Sequence, residues 1–283
     1  MTAQAPIQFD RASGALEGAN LWERTAALAL STGSKISSHF SHRGYIGCAN
    51  LLRKTLPERN IAIKLNPDAM FEFPYGDGYW SVLVSSQPFG AHKAIAIEPA
   101  GQNFPKLANN AAINNNRFET LKCAIGSSRG TARLSGTKHE AFSIAGDGGG
   151  DGEDVPVIAL DNLIDDGKIS ADGKYLIKLD VEGVEIEAIK GGTRLLEGDS
   201  VVLCEEHGND RQHTVSRYIL EKTPLKLIVY DPRSGRMETV SDLSILDRIK
   251  VSTHVGYNVF GTASAFWQDR IKALNAKAAR RMQ

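Results

Sequence analysis

Three cysteines in 283 residues, Cys48, Cys123 and Cys204, are odd in number and far apart. They leave neither a disulfide framework nor a Cys-x-x-Cys metal pair. Cys123 and Cys204 sit in apolar runs and read as buried, reduced thiols, which fits a reducing cytosol. No stretch approaches the ~18 apolar residues of a membrane span. The opening MTAQAPIQFDRASG has no basic region followed by an apolar core, so no signal peptide is expected and the expected location is cytoplasmic. An excess of one charge is missing too. Lys plus Arg number 33, as do Asp plus Glu, so bulk electrostatics gives nucleic acid no reason to bind. Internal repeats are absent.

What is present is ordinary for a globular chain, with 42% hydrophobic and 23% charged residues. The length suits one large domain with a modest extension. Residues 1–60 read as a helical cap. GANLWERTAALAL puts Leu21, Ala27 and Leu28 on one helical face, and YIGCANLLRKTL reads as a second helix stopped by Pro57. From Ile61 to residue 283 short apolar runs alternate with helical stretches. IAIKL, AMFEF, KAIAIEP, TLKCAIG, VPVIALDNLI, YLIKLDV and VVLCEEH read as strands, and NFPKLANNAAINN, GVEIEAIK and VSRYILEK as helices. This alternation predicts an α/β, largely parallel sheet. LKLIVYDP and YNVFGTASAF, with no helix of normal length between them, predict an antiparallel pair at one edge. AGDGGGDGED, 145–154, lacks the spacing of a calcium loop and reads as a surface loop.

Two features point to a nucleoside-containing ligand. FEFPYGDGYWS, 71–81, ends a strand at Glu72-Phe73 and then places Gly76 and Gly78 where a backbone can approach a ligand. Glu98 closes the next strand, 20 residues after Gly78, where an acidic side chain can accept from ribose hydroxyls. A nicotinamide dinucleotide and S-adenosylmethionine both satisfy this pattern.

Two more features point to chemistry. In YLIKLDVEGVEIEAIKGG, 175–192, an apolar strand carries Lys178 and ends in Asp180 and Glu182. Side-chain alternation puts these three on one side, at the edge where a parallel sheet delivers its ligand contacts. In VVLCEEHGND, 201–210, a second strand ends in Glu205, Glu206 and His207. Two carboxylates beside a lysine could bind a metal, act as a general base, or form an ion pair. No spacing demands a metal, and none is expected.

Taken in order, IAIEP with KLANNAAINN, LKCAIGSSRGTARL, VIALDNLI, YLIKLDVEGVEIEAIKGG and VVLCEEHG resemble the FkbM family of S-adenosylmethionine-dependent methyltransferases, over residues 70–262. The resemblance implies a class I methyltransferase (Rossmann-like) fold, a seven-stranded mostly parallel sheet with its last pair antiparallel, behind an N-terminal helical extension. It implies methylation of a hydroxyl, often on a sugar, glycan or natural product. The family pattern is Asp followed by Val-Gly-Ala-Asn-x-Gly. Here Glu72 stands for the Asp, Pro74 for the first glycine and Gly78 for the last, with Tyr75 between. Pro74 lacks an N–H and fixes φ. A cofactor-free scaffold and a nicotinamide-dependent oxidoreductase are therefore carried as alternatives.

The implied roles are these. Glu72, Gly76 and Gly78 border the methionine part of the cofactor, Glu98 holds the ribose, and Ala124 and Ile125 lie against the adenine. Asp180 is the base or orients the acceptor, with Glu182 and His207 as second candidates. Lys178 fixes the carboxylates by charge pairing. The partner is a small-molecule or glycan acceptor, and oligomeric state has no sequence signature.

Overall fold

The structure is a computed structural model that describes residues 7–37, 54–55, 61–73, 78–135, 143–145, 152–181, 183–252 and 256–281. The chain divides into two compact units, Met1–Lys122 and Cys123–Gln283.

In the first unit, β1 (Ile7–Asp10), β2 (Leu16–Glu17), β3 (Ile61–Asn66) and β4 (Ala69–Phe73) form one sheet in the order β2-β1-β3-β4. The first 60 residues thus contribute strands as well as α1 (Leu21–Ser37). The face expected for α1 is corrected. Leu21 and Leu28 are exposed, while Glu23 and Ala26 are buried. Glu23 is spent on the helix start: it accepts from Asn20 N–H and Asn20 accepts from Glu23 N–H, a reciprocal cap. The helix read at YIGCANLLRKTL lies almost wholly outside the described residues, as does most of AGDGGGDGED.

Next come α2 (Tyr79–Val84), β5 (Ile95–Ile97), α3 (Phe104–Ala112) and β6 (Glu119–Leu121). Phe71, Val82, Leu107, Ala111 and Phe118 make the core of this unit, and Tyr79 packs edge-on against Phe71. Among the described residues β5 pairs only with β6, in parallel.

In the second unit, β7 (Ala124–Ile125), β8 (Gly130–Ser135), β9 (Ser143–Ala145) and β10 (Glu153–Ile158) form a sheet in the order β7-β10-β8-β9. TLKCAIG is thus not one strand: it is split between β6 and β7, which belong to different sheets. A five-stranded sheet follows, in the order β11-β12-β15-β13-β14. Its strands are β11 (Tyr175–Leu179), β12 (Ser200–Glu206), β13 (Lys226–Asp231), β14 (Arg236–Thr239) and β15 (Tyr257–Thr262). The helices are α4 (Asn162–Asp165), α5 (Glu185–Lys190), α6 (Thr193–Glu197), α7 (Thr214–Lys222), α8 (Ser244–Ile249) and α9 (Ala265–Arg281). Val202, Cys204, Ile219, Leu227 and Val259 form its dry centre. Burial pushes the Cys204 thiol up to about 12, and Cys123 upward as well, which keeps both protonated and inert.

The expected seven-stranded, mostly parallel sheet is not what the chain forms. Among the described residues there are four smaller sheets. Of the eleven strand pairings, four are parallel and seven antiparallel. The late strands β13 and β15 do pair antiparallel, but β15 lies inside the sheet, between β12 and β13, and β14 takes the edge.

One physical reason sits on β4. Its outer edge, where a further strand would dock, is covered by asparagines near the end of α3. Met70 N–H donates to Asn114 Oδ1 at 3.0 Å, and Asn114 Nδ2 donates to Met70 O at 2.6 Å. Glu72 N–H donates to Asn110 Oδ1 at 2.8 Å. Side-chain amides carry the same donor and acceptor as a peptide. They satisfy the edge, which leaves it closed to strand pairing. The Asn-rich run is therefore a strand mimic, a role that its periodicity does not announce.

Asn114→Leu removes both hydrogen bonds to Met70 and strands two part-buried backbone groups there, at a cost of about 2–4 kcal/mol. Urea unfolding should show that loss, while exposed Lys93→Gln should change stability by less than ~0.5 kcal/mol. Equal stability of the two variants would contradict the edge-capping role.

Candidate functional site

The first unit holds three of the expected residues on one support. Glu72 accepts from Asn109 Nδ2, and its own N–H is taken by Asn110, both on α3. Gly78 precedes α2 with φ +85°, and a Cβ there would stand 2.6 Å from Leu107 Cδ1, also on α3. No other residue fits that position without strain. Glu98 follows β5, and its Oε1 accepts the N–H of Ala100 at 2.9 Å. Ala100 O in turn accepts from Asn103 and Phe104 N–H at the start of α3. One helix thus orients the Glu72 carboxylate and packs under the glycine, while the turn that leads into it holds Glu98. Gly76, with Pro74 and Tyr75, lies outside the described residues.

The second unit holds the remainder. Ala124 and Ile125 are buried in β7, which pairs in parallel with β10. The opening feature of the site is the parallel register of β11 on β12: Lys178 lies beside Leu203 and Leu179 beside Cys204. One residue further, that register sets Asp180 next to Glu205. Paired residues share a face, and alternation then places Lys178, Asp180, Leu203 and Glu205 on the same side.

The side chains follow that geometry. Lys178 Nζ is 2.9 Å from Asp180 Oδ2 and 3.7 Å from Glu205 Oε2. Lys178 itself is mostly buried, with 18% of its side chain exposed, while Asp180 is half exposed. Its aliphatic stem is thus covered and its ammonium is presented between two carboxylates. Burial raises the Glu205 carboxyl above its ordinary range, and the charge of Asp180 and a hydrogen bond to it raise it further; Lys178 and His207 pull the other way. A glycine makes room for Glu205: a Cβ on Gly256 would fall 1.6 Å from Glu205 Oε1.

The turn after β11 is built to present Asp180. Gly183 has φ +94°, and the N–H groups of Val181 and Gly183 both donate to Glu185 Oε1 at 3.3 Å. In the sequence DVEGVE the glycine thus supplies the left-handed turn and Glu185 staples it. Glu182, a second candidate for the base, lies outside the described residues. His207 is exposed just past β12, and its charge acts on Glu205.

Glu205 is the residue that strand reading underweighted. It was one of two adjacent glutamates with nothing to separate them. Alternation supplies the distinction. Glu205 faces Lys178, whereas Glu206 is buried on the opposite face, where it accepts from Ser216 N–H and Oγ. Among the described residues no group of three or more His, Cys, Asp or Glu is placed to hold a metal ion.

A raised carboxylate pKa has a definite sign in stability. The folded-state value of Glu205 lies above the ordinary 4.5. Its contribution therefore favours folding below that value and is lost as pH rises through the folded value. Glu205→Gln should raise the thermal midpoint at pH 7.5, and the gain should vanish by pH 4. A lower midpoint at pH 7.5 would show that Lys178 outweighs burial and Asp180.

Among the described residues no helix is long and apolar enough to cross a membrane. Comparison with curated proteins and with solved structures gave no match. The model of the methyltransferase FkbM domain matches residues 72–224, just over half of the chain, from Glu72 through α7. That span contains the glycine turn, Glu98, the Lys178–Asp180–Glu205 cluster and His207, and the chain belongs to the FkbM methyltransferase family.

Proposed function

We propose that this protein transfers the methyl group of S-adenosylmethionine to a hydroxyl oxygen of a sugar, glycan or natural-product acceptor. The observation that carries this reading is the Asp180–Glu205 pair around Lys178, at the ends of two parallel strands within the matched family domain. A hydroxyl is a poor nucleophile until its proton is taken, and a pair of neighbouring carboxylates, one of them with raised proton affinity, is a suitable acceptor for it.

Asp180 is the base or orients the acceptor, and Glu205 beside it shares the proton-accepting capacity. Glu182 and His207 remain second candidates. Lys178 supplies the positive charge that lets two carboxylates stand together, and so does not itself react. The donor's sulfonium brings an already activated methyl group, so the protein's share is to align the acceptor oxygen and take its proton. For the donor, Glu98 would accept from the ribose hydroxyls. Its carboxylate is oriented by Ala100 N–H, and an ionised carboxylate accepts several hydrogen bonds. Glu72, Gly76 and Gly78 would border the methionine part, and Ala124 and Ile125 the adenine.

The family match beginning at Glu72 supports reading 61–283 as the catalytic domain and 1–60 as an extension to it. Free, buried thiols at Cys123 and Cys204 support a cytoplasmic setting.

The test is transfer of labelled methyl from S-adenosylmethionine to a panel of hydroxylated sugars and natural products. Wild-type protein should label at least one acceptor. Asp180→Asn should lower the rate at least 100-fold and leave cofactor affinity within about two-fold. Full activity in Asp180→Asn would contradict its role, and label on nitrogen or carbon alone would contradict hydroxyl transfer.

A further inference from the structure

On the face of β12 opposite the candidate site lies a buried polar network that the proposed chemistry does not use. Lys250, just after α8, is fully buried. Its ammonium meets Asp210 O at 2.8 Å, His213 Nδ1 at 3.2 Å and Glu206 Oε2 at 3.4 Å. An ammonium has three N–H groups and no acceptor, so three acceptors complete it. His213 Nδ1 can accept only if the imidazole is neutral with its proton on Nε2. That Nε2 lies 3.1 Å from Asp247 Oδ1, to which it donates. The geometry thus assigns one tautomer to His213, which is itself buried and in the left-handed region at φ +52°.

The network ends on the loop that leaves β12. Asp210 N–H donates to His207 O at 3.1 Å. Asp210 carboxylate oxygens accept from Gln212 N–H at 2.9 Å and Thr214 N–H at 2.8 Å. Arg211 Nη1 reaches Lys250 O at 3.4 Å. Asp210 is therefore the knot of the 207–213 loop, and Lys250 holds that knot by its carbonyl. By its third contact Lys250 holds Glu206, the residue between Glu205 and His207.

We propose that Lys250 is a positioning residue: by tying Asp210 to Glu206 it fixes where β12 presents Glu205 and His207. The proposal rests on the reading of those two as site residues. Glu206 and Glu205 are neighbours on opposite faces, so clamping one sets the direction of the other. A buried charge pair is a poor source of net stability, because desolvation offsets the attraction. Its retention here is explained by the placement of the loop. Among the described residues, the charged groups around Glu205 are Asp180 and Lys178 from the end of β11 and His207 along its own chain. From β15 the paired residue is the uncharged Asn258.

The test uses the full chain. In wild-type protein, nitrogen NMR of His213 should show a neutral ring protonated on Nε2; a proton on Nδ1 at neutral pH would overturn the assignment. Lys250→Met alone leaves the Glu206 carboxylate buried without its cation and endangers folding. The informative variant is Lys250→Met with Glu206→Gln, which removes both charges. It should keep a thermal midpoint near that of the wild type. The Asp210, Gln212 and Thr214 amides should exchange at least ten-fold faster. The Glu205 carboxyl carbon should titrate at a lower pH than in the wild type, as the strand end loosens and hydrates. A folded double variant with unchanged exchange and an unmoved Glu205 signal would make Lys250 a mere structural staple and overturn the proposal. These readouts need no bound cofactor. A wild-type protein without methyl transfer would therefore count against the function alone and leave the NMR and exchange results to decide the positioning role.

Discussion

The parallel register between β11 and β12 is the constraint on which the candidate site depends. Five backbone pairings, Tyr175 with Ser200 through Leu179 with Cys204, fix which residues meet one step beyond them. A slip of one residue would turn Glu205 away and bring Glu206 to Lys178. The slip is penalised from both faces at once. Val202, Cys204 and Glu206 would leave their buried positions, and Glu205 would turn into the buried face, away from Lys178.

That same strand sorts two adjacent glutamates into different physical roles. Glu205 is half-buried, near another carboxylate, and its proton affinity is raised. Glu206 is buried, saturated by Ser216 and Lys250, and serves placement. Chemistry needs a carboxylate with unspent capacity, whereas architecture needs one whose capacity is used up. The strand supplies both within two residues because each is directed into a different environment.

Much of the candidate site was legible because it rests on strand ends and alternation. Lys178, Asp180 and the Glu205–His207 run stand out from the apolar residues that precede them, and DVEGVE is now explained by a left-handed glycine and a stapling glutamate. The strand-by-strand division also held for β11, β12, β13 and β15. What did not follow was the assembly of the strands. Sheet order depends on which edges remain open, and the edge of β4 is closed by Asn110 and Asn114, side chains with no periodic signature. The partners of Lys250 were equally hidden. They come from Glu206, Asp210 and His213, up to 44 residues away, and a lone lysine between two apolar residues gives no hint of them.

The claim that organises this account is that the chain is a methyltransferase using S-adenosylmethionine. Calorimetric titration of the purified protein with S-adenosylmethionine, and separately with NAD, tests it most directly. The account predicts saturable micromolar binding of S-adenosylmethionine and no heat from NAD. Binding of NAD alone would contradict it in favour of hydride chemistry, and binding of neither would contradict it in favour of a cofactor-free scaffold.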